Sequence, residues 1–161
     1  FHAGLRAAPA PELAIKLHSV LSFDGKAAEA ERVSTAWLRE NPRDSAMLMY
    51  LGDRAMTNNR LQDAQKHYDR VIALQPNNAL ALNNLAWVAG RLGRSDAVAL
   101  AERANAAAPR QAPFIDTLAV LLSERKEHAR AIELQKQAVA LQPGTPLFKL
   151  NLAKIYLNAE D

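Results

Sequence analysis

The side chains of this 161-residue chain with chemistry to offer are four histidines, seventeen carboxylates and twenty basic groups; cysteine is absent. His2, His18, His67 and His128 stand far apart, with no pair at i and i+4 and no HExxH. Without thiolates to complete a set, they read as solvent-facing or turn histidines, not metal ligands. Neither GxxxxGK[ST] nor GxGxxG occurs, so no loop is built to cradle phosphate, and Arg91-Leu92-Gly93-Arg94 reads as a helix end with its cap. GxSxG is missing too, and no Asp/Glu pair stands out from surface charge. The expectation is a protein that is not an enzyme and carries no cofactor and no metal.

Binding is the remaining kind of chemistry. Nucleic acid would want a clustered basic face with stacking aromatics. Arg60, Lys66, Arg70, Arg91, Arg94, Arg103 and Arg110 are instead scattered among Asp and Glu, and net charge is only +3. They read as a solvated surface, with no nucleic-acid partner. No apolar run approaches the length that spans a bilayer. The chain starts at Phe1 without a basic or apolar leader, and reads as a fragment whose targeting signal is absent or removed.

The elements that must position any binding residues follow from a repeat. Pro9, Pro42, Pro76, Pro109 and Pro143 recur at spacings of 33, 34, 33 and 34 residues. Twelve residues before four of them stand Ala30, Ala64, Ala97 and Ala131; five before stand Trp37, Val71, Ala104 and Ala138. Upstream, Leu17, Leu51, Leu85 and Leu118 each precede a mostly small residue: His18, Gly52, Ala86 or Ala119. Small residues let two helices approach closely while leucines fill the space beside them. Proline, lacking an N–H, ends each pair.

First helices are expected at 11–23, 45–57, 79–91, 112–124 and 146–158, and second helices at 27–40, 61–74, 95–107 and 128–141. Pro11, Pro113 and Pro146 suit a first helical turn, and Ser95 an N-cap. Gly25, Asn58 or Asn59, and Gly93 suit left-handed helix closure, whereas the turn Arg125-Lys126-Glu127 has no such residue. Two residues depart from the pattern: Trp37 replaces a small residue, and Ser34 stands where an aromatic is common.

This spacing resembles the tetratricopeptide repeat family. The resemblance implies an all-α fold, an α-α superhelix or solenoid of tandem helical hairpins, running through residues 1–161 as one array. Residues 1–9 would be the remnant of a preceding second helix, 10–42, 43–76, 77–109 and 110–143 four repeats, and 144–161 the first helix of a truncated one. The ends read as cut inside the array, leaving Leu152, Ile155 and Tyr156 uncovered. The native protein is then expected to continue on at least one side, or to self-associate end to end.

By the same resemblance the first helices line a concave groove that binds a protein or peptide. Its candidate residues are Met49, Tyr50, Asp53, Asn83, Asn84, Trp87, Arg91, Asp116, Thr117, Val120, Asn151 and Lys154. Asn83 and Asn84 would grip a peptide backbone, and Tyr50 and Trp87 would supply rigid apolar area. Core packing is the competing role for Met49 and Met56, and packing between hairpins for Trp87. The carboxylate clamp of one subclass is missing, its places holding Ile15, Ser19, Tyr50, Leu80 and Asn84. The stretches LNNLAW (82–87) and DTLA (116–119) are similar to bacterial tetratricopeptide lipoproteins of exosortase and exopolysaccharide export systems. That resemblance implies a scaffold in a Gram-negative envelope, periplasmic or anchored to the outer membrane. A cytoplasmic location, a structural spacer without groove ligand, and a sugar-binding surface at Trp87 are the alternatives.

Overall fold

A computed structural model describes residues 11–160, and the expected remnant helix at 1–9 lies outside them. Among the described residues nine helices follow one another: α1 (Pro11–Phe23), α2 (Ala27–Glu40), α3 (Ser45–Thr57), α4 (Leu61–Leu74), α5 (Ala79–Arg91), α6 (Ala97–Ala107), α7 (Ala112–Glu124), α8 (His128–Leu141) and α9 (Pro146–Glu160). Successive pairs fold back as hairpins, and α9 stands as a first helix alone. First helices also touch down the stack, α1 to α3, α3 to α5, α5 to α7 and α7 to α9, more closely than second helices do. A stack curves toward its closer-spaced side, so the first helices line the concave face.

Local chemistry explains the boundaries. Asp44 caps α3 by accepting from the Ala46 and Met47 amides at 3.0 and 3.2 Å, and Asn78 caps α5 through Ala81 at 3.0 Å. Within the hairpins, Gly25, Asn59, Gly93 and Lys126 all take positive φ, at 75, 55, 69 and 64°. The next residue's amide closes each turn onto a carbonyl five residues back, Lys26 to Leu21, Arg60 to Ala55, Arg94 to Ala89 and Glu127 to Leu122. The fourth turn therefore keeps its geometry with a lysine where glycine or asparagine serves elsewhere.

Two boundaries differ from expectation. Helix α6 starts at Ala97, not at 95, because Asp96 is held by Arg94, Nε to Oδ1 at 2.9 Å, and residues 95–96 form a turn. Ser95 is thus no N-cap. Helix α9 runs on to Glu160.

Hairpins two to four share most of the core: Tyr68, Met47, Leu48, Leu82, Leu85 and Leu122 are fully buried. Gly52 makes room for the Tyr68 ring, whose carbons lie 2.6 to 3.0 Å from where a Cβ would sit. In the first hairpin the sizes are exchanged: His18 takes the place of Gly52, and Ser34 that of Tyr68. Both are buried, and among the apolar side chains of that hairpin only Ala30 is fully so. Trp37 adds bulk at the place where Val71, Ala104 and Ala138 let the next first helix come close. Accordingly α2 does not pack on α3 as α4 does on α5, α6 on α7 and α8 on α9.

Candidate functional site

Six of the twelve groove candidates converge on one concavity of about 250 Å³: Trp87, Arg91, Asp116, Thr117, Val120 and Asn151. Helices α5, α7 and α9 supply them at successive levels of the stack, with Leu147 on the far wall. Trp87 is 41% exposed and Leu147 54%, which places two large apolar surfaces across an open pocket. The Arg91 guanidinium lies 5.9 Å from the centre of the Trp87 ring and puts a cation on that rim. Gly90 forms part of the floor against the tip of Leu121. Val120 and Thr117 are half-buried beside it; the Thr117 hydroxyl donates to the Pro113 carbonyl at 3.0 Å, leaving its methyl for contact.

Asp116 and Asn151 are joined within the wall. Asn151 Nδ2 donates to Asp116 Oδ1 and Oδ2 at 2.9 and 3.1 Å, and Gln135 Nε2 donates to Oδ1 at 2.6 Å. Gln135 is fully buried and also donates to the Phe148 carbonyl at 3.0 Å, so this cluster fastens α9 to α7 and α8. The same device recurs two units earlier. The Tyr68 hydroxyl donates to Asp53 Oδ1 at 2.6 Å, and Asn84 Nδ2 donates to the same oxygen at 3.1 Å. Burial, then the bond to Asp53, pushes the Tyr68 phenol up from its usual pKa, so it stays a donor. In both clasps one carboxylate on a first helix binds a second-helix donor and an asparagine of the next first helix.

These bonds correct several assignments. Asn83 is only 9% exposed and Asn84 is committed to Asp53, so the two do not stand free to grip a peptide backbone. The Tyr50 hydroxyl shares a 2.8 Å hydrogen bond with His18 Nδ1, their rings edge to face, and joins the first hairpin to the second. His18 is therefore buried, not solvent-facing. Met49 and Met56 are half-buried and pack against the core. Lys154 is exposed on α9, outside the pocket. Ile155 is buried against the main core and Leu152 half-buried; Leu147, Leu150, Tyr156 and Leu157 are the exposed large apolar residues of α9. Gly90, Leu121, Glu124 and Leu147 are the pocket residues that sequence reasoning missed, and Leu147 is the one on α9. Its signal was present, since it lies one helical turn before Asn151 on the same face.

A family model described as tetratricopeptide repeat matches residues 67–97, from α4 into α6. No curated protein matches the sequence. Among solved structures, MamA (41-end) from Desulfovibrio magneticus RS-1 is similar at a TM-score of 0.80 and 23% identity, over 93% of this chain and 85% of that one. PilW, described as a widely conserved type IV pilus biogenesis factor, is similar at 0.79 and 19% identity, over 96% and 72%. The first tetratricopeptide domain of Spaghetti (RPAP3), bound to an HSP90 peptide SRMEEVD, is similar at 0.67 and 16% identity, over 73% and 94%. The fold is an all-α tetratricopeptide solenoid, and the family-model match supports the repeat assignment.

Proposed function

We propose that this protein is a non-catalytic scaffold that binds a peptide segment of a protein partner along its concave face, anchored in the pocket between α5, α7 and α9. The observation that carries the reading is the opposition of Trp87 and Leu147 across that pocket, with the Arg91 cation at its rim. An apolar side chain entering there buries area on both walls. A carboxylate or carbonyl beside it meets Arg91. Support also comes from the peptide held by the RPAP3 domain. The missing clamp residues argue against the same peptide ending here.

The setting we propose is a bacterial envelope assembly for export, sorting or exopolysaccharide. It rests on the LNNLAW and DTLA stretches, with a periplasmic or outer-membrane-anchored location. The spacer reading has its own observation. Leu13, Val20 and Phe23 on α1, and Leu147, Leu150 and Leu157 on α9, are more than half exposed, and Leu17 is half exposed, as stacking faces would be.

Selection of displayed peptides on the wild-type protein, followed by titration against Trp87→Ala, separates the two. Because Trp87 is part-exposed, the variant should keep its fold and lose about thirtyfold in affinity, a hot-spot effect of about 2 kcal/mol. Equal affinity in the folded variant, or no selected peptide, would sink the groove reading and leave the spacer ahead.

A further inference from the structure

A further concavity lies outside the groove. A cleft of about 410 Å³ opens between the first and second hairpins, bounded mainly by the second helices α2 and α4. It exists where the repeat is broken. Ser34, which stands where Tyr68 does one unit later, lines the cleft, and Trp37 stands at the place where a small residue lets neighbouring units close up. Into this gap come Arg39, Arg54, Arg60 and Arg70, against two carboxylates, Glu31 and Asp63.

Few of these cations are neutralised. Among the described residues, Arg54 and Arg70 have no carboxylate partner, Arg60 meets Asp63 only at 3.9 Å, and Arg39 meets Glu40 only at 4.0 Å. Arg54 lies 5.8 Å over the Tyr50 ring, and Arg70 donates to the Pro42 carbonyl at 3.1 Å, both contacts that leave the charge uncancelled. His18 and His67 line the same cleft, and His67 Nδ1 is buried without a hydrogen-bond partner among the described residues.

We infer that this cleft is an oxyanion site, separate from the groove, which accepts the carboxylates of an acidic segment of a protein partner. Guanidinium forks match carboxylate and phosphate oxygens alike. The cleft's dimensions favour a segment over a free ion, since one phosphate would fill a small part of 410 Å³. Glu31 and Asp63 stand among the arginines and repel an entering anion, a compact polyanion more than an extended segment that spaces its carboxylates. Both histidines are held below their usual pKa by burial first, then by Arg54 for His18 and Arg70 for His67, with Arg60 adding to both; Glu31 opposes this at both, and Asp63 at His67. A bound anion reverses that field, so binding takes up protons and tightens on acidification.

The test is calorimetric titration of the folded protein with a hexaglutamate peptide and, separately, with inorganic pyrophosphate. Saturable peptide binding is expected, weakened about tenfold or more in Arg54→Gln/Arg70→Gln. It should persist in the charge-matched control Arg125→Gln/Lys149→Gln and in Trp87→Ala, which separates this site from the groove. Glu31→Gln removes an exposed, unpaired carboxylate and should tighten binding, an effect that no unfolding produces. Equal weakening in the control, no response to Glu31→Gln, or no saturable binding of the peptide would overturn the inference. Pyrophosphate binding that responds to the cleft variants, without peptide binding, would overturn the acidic-segment assignment in favour of a phosphate ligand.

Discussion

Replacing Gly52 by alanine should destabilise this protein, although alanine is by far the better helix former. In an exposed helix interior the change would gain up to about 1 kcal/mol. Here the new Cβ would stand 2.6 Å from Tyr68 Cε1 and 3.0 Å from Cδ1 and Cζ, where carbons ordinarily rest at about 3.5–4.0 Å. The ring would have to retreat by about 1 Å. It has nowhere to go, being fully buried and tied by its hydroxyl to Asp53 at 2.6 Å. Overpacking of this kind costs about 1–3 kcal/mol. Straining a hydrogen bond to a charged acceptor adds about 1–2 kcal/mol. Setting the helix gain against these, the net loss should be about 1–4 kcal/mol. Urea denaturation followed by helical circular dichroism measures it. Tyr68→Leu supplies the second arm of a cycle, because with the ring gone Gly52→Ala should cost little. A neutral or stabilising Gly52→Ala, or strictly additive effects of the pair, would refute the steric argument.

Two further outcomes are expected. Lys126→Gly should raise stability by about 0.5–1 kcal/mol in the same assay, because Lys126 occupies at φ 64° the turn position that Gly25 and Gly93 fill without penalty. Stability should also fall as pH drops below about 6.5, the ordinary histidine value, because folded His18 and His67 are held below it by burial and then by Arg54 and Arg70 respectively. Between the folded and unfolded values the unfolded chain binds more protons, so the loss accrues across that window and stops below the folded pKa. Urea midpoints at pH 7.5 and 5.5 should converge in His18→Gln/His67→Gln, and an unchanged difference would refute the assignment.

Much of the architecture was legible because its signals are local. Proline after each hairpin, small residues at the helix contacts and Gly25, Asn59 and Gly93 in the turns act within one or two helical turns of themselves. The start of α6 escaped because Arg94 competes for the Asp96 side chain, a choice between two hydrogen-bonding partners that residue types do not settle. Placing Trp87, Arg91, Asp116, Thr117, Val120 and Asn151 on first helices was likewise a matter of register. Their convergence on one pocket depends on how α5, α7 and α9 stack.

What only the tertiary structure decided is which polar groups remain available. Asn83 and Trp87 sit one turn apart on α5, yet one is buried and the other open, because neighbouring helices cover unequal parts of that face. Asp53 and Asp116 read as groove candidates until Tyr68 and Asn84, or Gln135 and Asn151, are brought to them within and across adjacent units. Arg60 and Arg70 read as scattered for the same reason: they meet each other, and Arg39 and Arg54 from other helices, only in the cleft. Periodicity sets the direction in which a side chain leaves its helix. The partner it meets there is set by the distance and tilt of the next hairpin, which depend on the packed volumes of residues such as Ser34, Trp37 and Gly52 acting together.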